Sequence, residues 1–149
     1  MTQKVDVLGI GAHPDDVELT CAGTLIKMVR RGHVAGIVDL TNGEMGTRGD
    51  ADTRRLESQD AAQVIGAAVR LRAELPDGHL HNTDQSRRVV VELLRMLRPR
   101  TVILPFPVGR HPDHRVAAEL GRDACFLANL ARYDAPGERH RVEKVIYAL

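Results

Sequence analysis

Tryptophan is absent from the 149 residues, and phenylalanine and tyrosine occur only twice each. The charge has no dominant sign either: 21 basic and 20 acidic side chains leave a net +1, with no dense Lys/Arg block. Both features argue against a nucleic-acid surface, which needs clustered cations and, for single strands, interleaved aromatic rings. The two cysteines, Cys21 and Cys125, lie far apart in segments that read as helical, so they imply small buried hydrophobes and no disulfide framework. No apolar stretch is long enough to span a bilayer. From Met1 the chain runs straight into VDVLGIG, without the apolar core or cleavage site of a signal peptide. A cytoplasmic protein is expected. What remains is an ordinary globular composition, 43% hydrophobic and 28% charged, over a length that suits one domain.

The apolar pattern alternates between strand and helix. Val5 to Gly11 is a short apolar run of the kind buried on both faces of a parallel sheet, and Leu19 to Arg31 has helical spacing closed by Gly32. Val34 to Leu40 reads as a second strand, followed by the loop TNGEMGTRGDAD and a helix from Thr53 to Ile65. A third strand spans Ala68 to Leu71, and Gln85 to Leu97 is a helix stopped by Pro99. Thr101 to Pro105 is a fourth strand, His114 to Ala131 a helix, and Val142 to Leu149 a fifth strand. Such alternation predicts an α/β fold with a parallel sheet, helices on both faces, and ligands bound outside the carboxyl ends of the strands.

Every unusual motif sits in one of those loops. AHPDDVE puts one imidazole and three carboxylates within six residues after the first strand. Carboxylates that close raise one another's pKa, and a divalent cation removes the penalty while taking oxygen and nitrogen ligands. Taken alone, His13 reads as a satisfied core histidine, and Asp15 and Asp16 as a helix cap and a first-turn acid. RHPDH, Arg110 to His114, repeats the His-Pro-Asp element after another strand and shifts that balance. In isolation it is an aspartate cap with two solvent-facing histidines. Two such loops at one end of a sheet instead offer the two histidines and one carboxylate of an open catalytic zinc site, with the remaining acids free to act as catalysts. The spacing of His111 and His114 brings both rings toward one side of a helix start. A dinucleotide fingerprint at GIGAHP fails, because the third glycine falls on Pro14 and two aspartates follow where bare amides are needed.

AHPDDVE, GEMGTRG with Thr53 and Arg54, LPDGHLHN and RHPDH, taken in that order along the chain, resemble the LmbE-like or PIG-L-like N-acetylglucosaminyl deacetylases, and especially their bacillithiol-biosynthesis branch. The resemblance implies a Rossmann-like three-layer sandwich with a mostly parallel sheet. It also implies a hydrolase acting on a linear amide, an N-acetylglucosaminyl group, with glucosaminyl-malate as the favoured conjugate. In such enzymes the residues matching His13, Asp16 and His114 bind zinc, or ferrous iron in its place. Asp15 becomes the general base for the attacking water, and a carboxylate beside a ligand is well placed for that role. A protonated His111 stabilises the oxyanion, with Asp113 orienting it and keeping it charged. Either Asp15 or His111 protonates the departing amine. Arg54 and Arg110 are the expected substrate-contacting cations, while Arg48 reads equally well as a solvated loop charge. Glu18 reads as a first-turn helix acid or as a hydrogen-bond partner of a ligand. His33, His79, His81 and His140 read as surface or loop residues. Family members continue past residue 149, so residues 1–149 form a single deacetylase domain expected to lack the C-terminal region that supplies pocket wall and subunit contacts. Gly109 stands where some relatives carry an assisting side chain. The expected partner is a small N-acetylated sugar, with homo-oligomers as in relatives. The alternative is a metal-binding module without catalysis.

Overall fold

A computed structural model describes residues 3–149. Five strands, β1 (Val7–Gly11), β2 (Ala35–Thr41), β3 (Val69–Leu75), β4 (Thr101–Pro105) and β5 (Lys144–Ala148), form one sheet in the order β3-β2-β1-β4-β5. Every pairing is parallel. The helices are α1 (Asp16–Thr20), α2 (Ala22–Arg30), α3 (Ala51–Ile65), α4 (Asp84–Leu97) and α5 (Pro112–Ala128). This is the α/β sandwich expected from the alternating pattern.

The apolar residues divide between two cores because successive side chains of a strand point to opposite faces. Leu8, Val38, Val102 and Leu104 pack with Leu94 and Leu97 of α4 and with Leu120 and Ala124 of α5. Their neighbours Val7, Ile37 and Ile103 pack the other way, with Val17, Leu25 of α2 and Ile65 of α3. Both faces of β1 and β2 are covered, which is why these strands read as continuous apolar runs.

The departures are local. The helix expected over Leu19 to Arg31 begins earlier and breaks at Cys21, whose φ of −141° ends α1 and opens α2. Helix α5 starts at Pro112, which a first helical position tolerates because its missing N–H has no partner to lose. It makes His111 the N-cap. Cys21 and Cys125 are buried and unbridged, and among the described residues no helix is long and apolar enough to cross a membrane.

Strands β1 and β4 are neighbours in the middle of the sheet, so the loops that follow them meet at the point where strand order reverses. The bend after β1 depends on Gly11. A Cβ there would sit 3.0 Å from Cβ of Asp16 and 3.2 Å from the His13 carbonyl oxygen, so glycine gives α1 the room to fold back closely against the strand end.

A buried ion cluster fastens α1 from below. Arg70 of β3 grips Asp39 of β2 through two bonds of 2.7 and 2.9 Å, donates to the Ser58 carbonyl at 3.0 Å, and pairs with Glu18 of α1. Glu18 is thus committed to Arg70. Asp39 is fully buried, and the Arg70 side chain is 7% exposed. Removing one partner of such a cluster strands buried charge. Arg70→Met is therefore expected to lower unfolding free energy by about 3–5 kcal/mol, read from urea denaturation. A loss below about 1 kcal/mol would show that the cluster does not hold the layers together.

Candidate metal centre and active site

The carboxylate of Asp16 organises the centre. Its Oδ2 accepts from the His13 backbone N–H at 2.9 Å and lies 3.6 Å from His13 Nδ1. Its Oδ1 is 3.1 Å from His114 Nε2, although the geometry makes no hydrogen bond, and that buried nitrogen has no other partner. An orphaned buried nitrogen beside a carboxylate and a second imidazole is a donor set that suits a cation. His13, Asp16 and His114 have ligand atoms within 4.8 Å of one another. His13, His111 and Asp113 also converge, but there the donors and acceptors are already matched. The first set is therefore the better cradle.

The other side of the His13 ring is held by two acids. Its Nε2 lies 2.8 Å from Asp113 Oδ2 and 3.0 Å from Asp77 Oδ1. Burial alone would depress the His13 pKa, but Asp16 and Asp113, with Asp77 adding its charge, outweigh it and raise the value to about 9. A cation arriving at Nδ1 displaces a proton from this imidazole. Burial opposes ionisation of Asp16 as well. The His13 hydrogen bonds and the nearby His114 nevertheless hold its carboxyl below the usual range.

Asp113 does not do what the sequence suggested. Its carboxylate is not paired with His111; besides His13 it accepts the N–H of Gly78 at 2.9 Å and of Leu80 at 3.4 Å. The reason lies in the helix start. With α5 beginning at Pro112, the His111 ring turns back to cap it, Nδ1 accepting from the Asp113 N–H at 3.0 Å. The hydrogen His111 can offer to a ligand is then on Nε2, and a doubly protonated ring would forfeit the cap. The His111 and His114 rings stack with centroids 5.0 Å apart, as their spacing implied.

Asp77 had no assigned role. It belongs to LPDGHLHN, where an aspartate before glycine reads as turn chemistry, and nothing in the chain points from there to His13. In the fold it is 7% exposed and its Oδ2 accepts the Met45 N–H at 2.7 Å, joining the GEMGTRG loop to the His13 ring.

Asp15 occupies the N-cap position of α1 but makes no side-chain cap, and its φ of 144° is a conformation side-chain-bearing residues rarely adopt. Its carboxylate is left free in a polar cavity of about 330 Å³ with Asp16, Arg54, Asp77, His111 and His114. Desolvation and the neighbouring Asp16 raise its pKa above the ordinary value, against the opposing pull of Arg54 and His13. Arg54 reaches this cavity from α3 by lying across the glycines of the preceding loop. A Cβ on Gly46 would fall 1.6 Å from Arg54 Nη1. Arg110 is exposed and does not line the cavity, and Arg48 is an exposed loop charge that lines an adjoining cavity with Asp15 and Arg54. Of the remaining histidines, His33, His79 and His81 are exposed, while His140 is half-buried with Nε2 2.7 Å from the Pro99 carbonyl oxygen.

The profile of the GlcNAc-PI de-N-acetylase family, PIG-L, matches residues 8–125. A diacetylchitobiose deacetylase of Thermococcus kodakarensis is 33% identical over 138 residues, 86% of this chain and 52% of the relative. A 1D-myo-inositol 2-acetamido-2-deoxy-alpha-D-glucopyranoside deacetylase of Corynebacterium efficiens is 31% identical over 151 aligned positions, 80% of this chain and 49% of the relative. The chain spans about half the length of these curated relatives. Among solved structures, a conserved protein of Thermus thermophilus superposes with a TM-score of 0.94 at 40% identity, covering 97% of this chain and 66% of that one.

Proposed function

Because the chain belongs to the GlcNAc-PI de-N-acetylase (PIG-L) family, we propose that it is a zinc-dependent hydrolase that removes the acetyl group from an N-acetylglucosaminyl substrate. The observation that carries this reading is the unpartnered His114 Nε2 facing Asp16 and His13, with the uncapped Asp15 carboxylate in the same cavity. His13, Asp16 and His114 would hold the cation. The chemistry it supplies when bound is polarisation of the amide carbonyl and a lowered pKa for water.

The rest belongs to the chain's own residues. Asp15 takes the proton of the water that attacks the carbonyl carbon, which its raised proton affinity favours. His111 donates Nε2–H to the carbonyl oxygen as negative charge develops there. When the carbon–nitrogen bond breaks, Asp15 returns the proton to the departing nitrogen, leaving acetate and a free amine. Asp77 and Asp113 orient His13 and fix which of its nitrogens faces Asp16. Arg54, held in place by Gly43 and Gly46, offers its planar donors to sugar oxygens. For the conjugate, the motif resemblance favours N-acetylglucosaminyl-malate. The relatives named above are a chitobiose and an inositol-linked deacetylase.

The test is release of acetate by the zinc-loaded chain from N-acetylglucosaminyl-malate, N,N'-diacetylchitobiose and N-acetylglucosamine itself. Zinc-dependent appearance of acetate and free amine in equal amounts is expected. A chain that binds zinc and releases acetate from none of these is a metal-binding module without catalysis.

A further inference from the structure

Two cavities, not one, meet at Asp16 and His114. The polar one holds Asp15, Arg54 and Asp77. The other, about 270 Å³, shares only these two residues with it and lies between the ends of β1, β4 and β5 and the α1–α2 junction. Its wall is mostly apolar, with Ile10, Cys21, Ile103, Phe106, Val108 and Ala148, and Thr20 adds a hydroxyl. Ile10, Cys21 and Ile103 are buried, whereas Phe106 and Val108, 37% and 78% exposed, stand at its rim on the loop after β4.

An amide carbonyl placed at the His13, Asp16 and His114 centre has two substituents to dispose of, the amine with its sugar and the acyl carbon. The sugar carries hydroxyls, which match the acids and the guanidinium of the polar cavity. Any aglycone is attached through the sugar and leaves on that same side. The acyl carbon is then directed to the apolar side. An acetyl group brings one methyl there, yet the space equals roughly nine water-sized units at about 30 Å³ each. Mostly apolar space of that size, continuous with the reacting centre, suits a hydrocarbon chain better than a sugar.

Resting on the hydrolase reading above, we propose that the apolar cavity lined by Ile103, Phe106, Val108 and Ala148 is an acyl-chain site, and that the protein cleaves N-acyl groups of about four to six carbons at least as well as N-acetyl. The carbonyl carbon gains the hydroxyl of water, the carbon–nitrogen bond breaks, and a fatty carboxylate and a free amine result. The stoichiometry is unchanged from deacetylation and no further reactant enters.

The zinc-loaded chain is assayed against N-acetyl, N-butyryl and N-hexanoyl forms of one glucosaminyl substrate. In parallel, acetate, butyrate and hexanoate are titrated into it by calorimetry, which needs no turnover. The carboxylates are expected to bind roughly fourfold tighter per added methylene, the equivalent of about 0.8 kcal/mol per buried CH₂. Longer acyl substrates should match or exceed acetyl in kcat/KM. Ala148→Phe fills the cavity from the edge strand β5. It should abolish the chain-length gain in both series. Acetyl cleavage with a flat or falling chain-length profile in the unmodified chain overturns the acyl site and leaves the deacetylase reading standing. Failure to release any acid from any substrate overturns that reading instead, and the carboxylate titration then decides the cavity alone. If the unmodified chain self-associates in sedimentation, Ala148→Phe is monomeric and the carboxylate profile is flat, the apolar face is an interface between copies and the proposal fails.

Discussion

His114→Ala is expected to fold and to retain no zinc. His114 is the third residue of α5, and its side chain is about one-third exposed, so truncation opens little of the core. What it removes is the nitrogen that faces Asp16 without a hydrogen-bond partner. A site with two protein ligands left on one loop loses most of the geometric closure that makes a cation bind tightly. Metal content after dialysis should fall from about one zinc per chain, the stoichiometry of a single site, to background, and acetate release should vanish with it. Urea unfolding of the metal-free forms should be nearly superimposable. Zinc retained at the original stoichiometry would place the metal elsewhere, with the second convergence of His13, His111 and Asp113 the next site to examine.

Asp15→Asn separates the metal from the chemistry. The substitution keeps the side chain's shape, and asparagine shares aspartate's tolerance of unusual backbone conformations, so the strained turn at φ 144° survives. No cap is lost, since Asp15 makes none. Zinc content should be unchanged and KM little altered. Turnover should fall by about 10²–10⁴, the usual contribution of a positioned general acid–base group. Measured by acetate release at saturating substrate, a drop of less than about threefold would mean that a group other than Asp15 takes the proton. A drop in kcat with parallel loss of zinc would instead mark Asp15 as a ligand.

His13, Asp15 and Asp16 are contiguous with a strand end, and His111 and His114 follow a second strand by a short loop. Their joint presence marks a candidate site in the sequence itself. The alternation of apolar runs identified strands β1, β2 and β4 because a strand buried on both faces is mostly apolar, with Asp39 of β2 the buried exception. The half-buried edge strand β3 has a mixed pattern and was read only in part.

Asp77 and Asp113 show the other side. Which imidazole a carboxylate serves depends on where a helix begins to within one residue. Proline at the first turn moved that beginning to Pro112, gave His111 the cap, and sent Asp113 inward to His13. Asp77 lies 64 positions from His13 along the chain, as their numbers show, in a turn whose composition needs no function to explain it.

The sequence by itself determined the layered α/β architecture and the residue types at the centre, because periodicity and clustered ligands are local properties that short stretches of chain express directly. The tertiary structure decided which strands are neighbours, which acid steadies which imidazole, and that an apolar cavity lies behind Asp16 and His114. Those are distances between segments far apart in sequence, and they come into being only when the sheet order β3-β2-β1-β4-β5 closes around them.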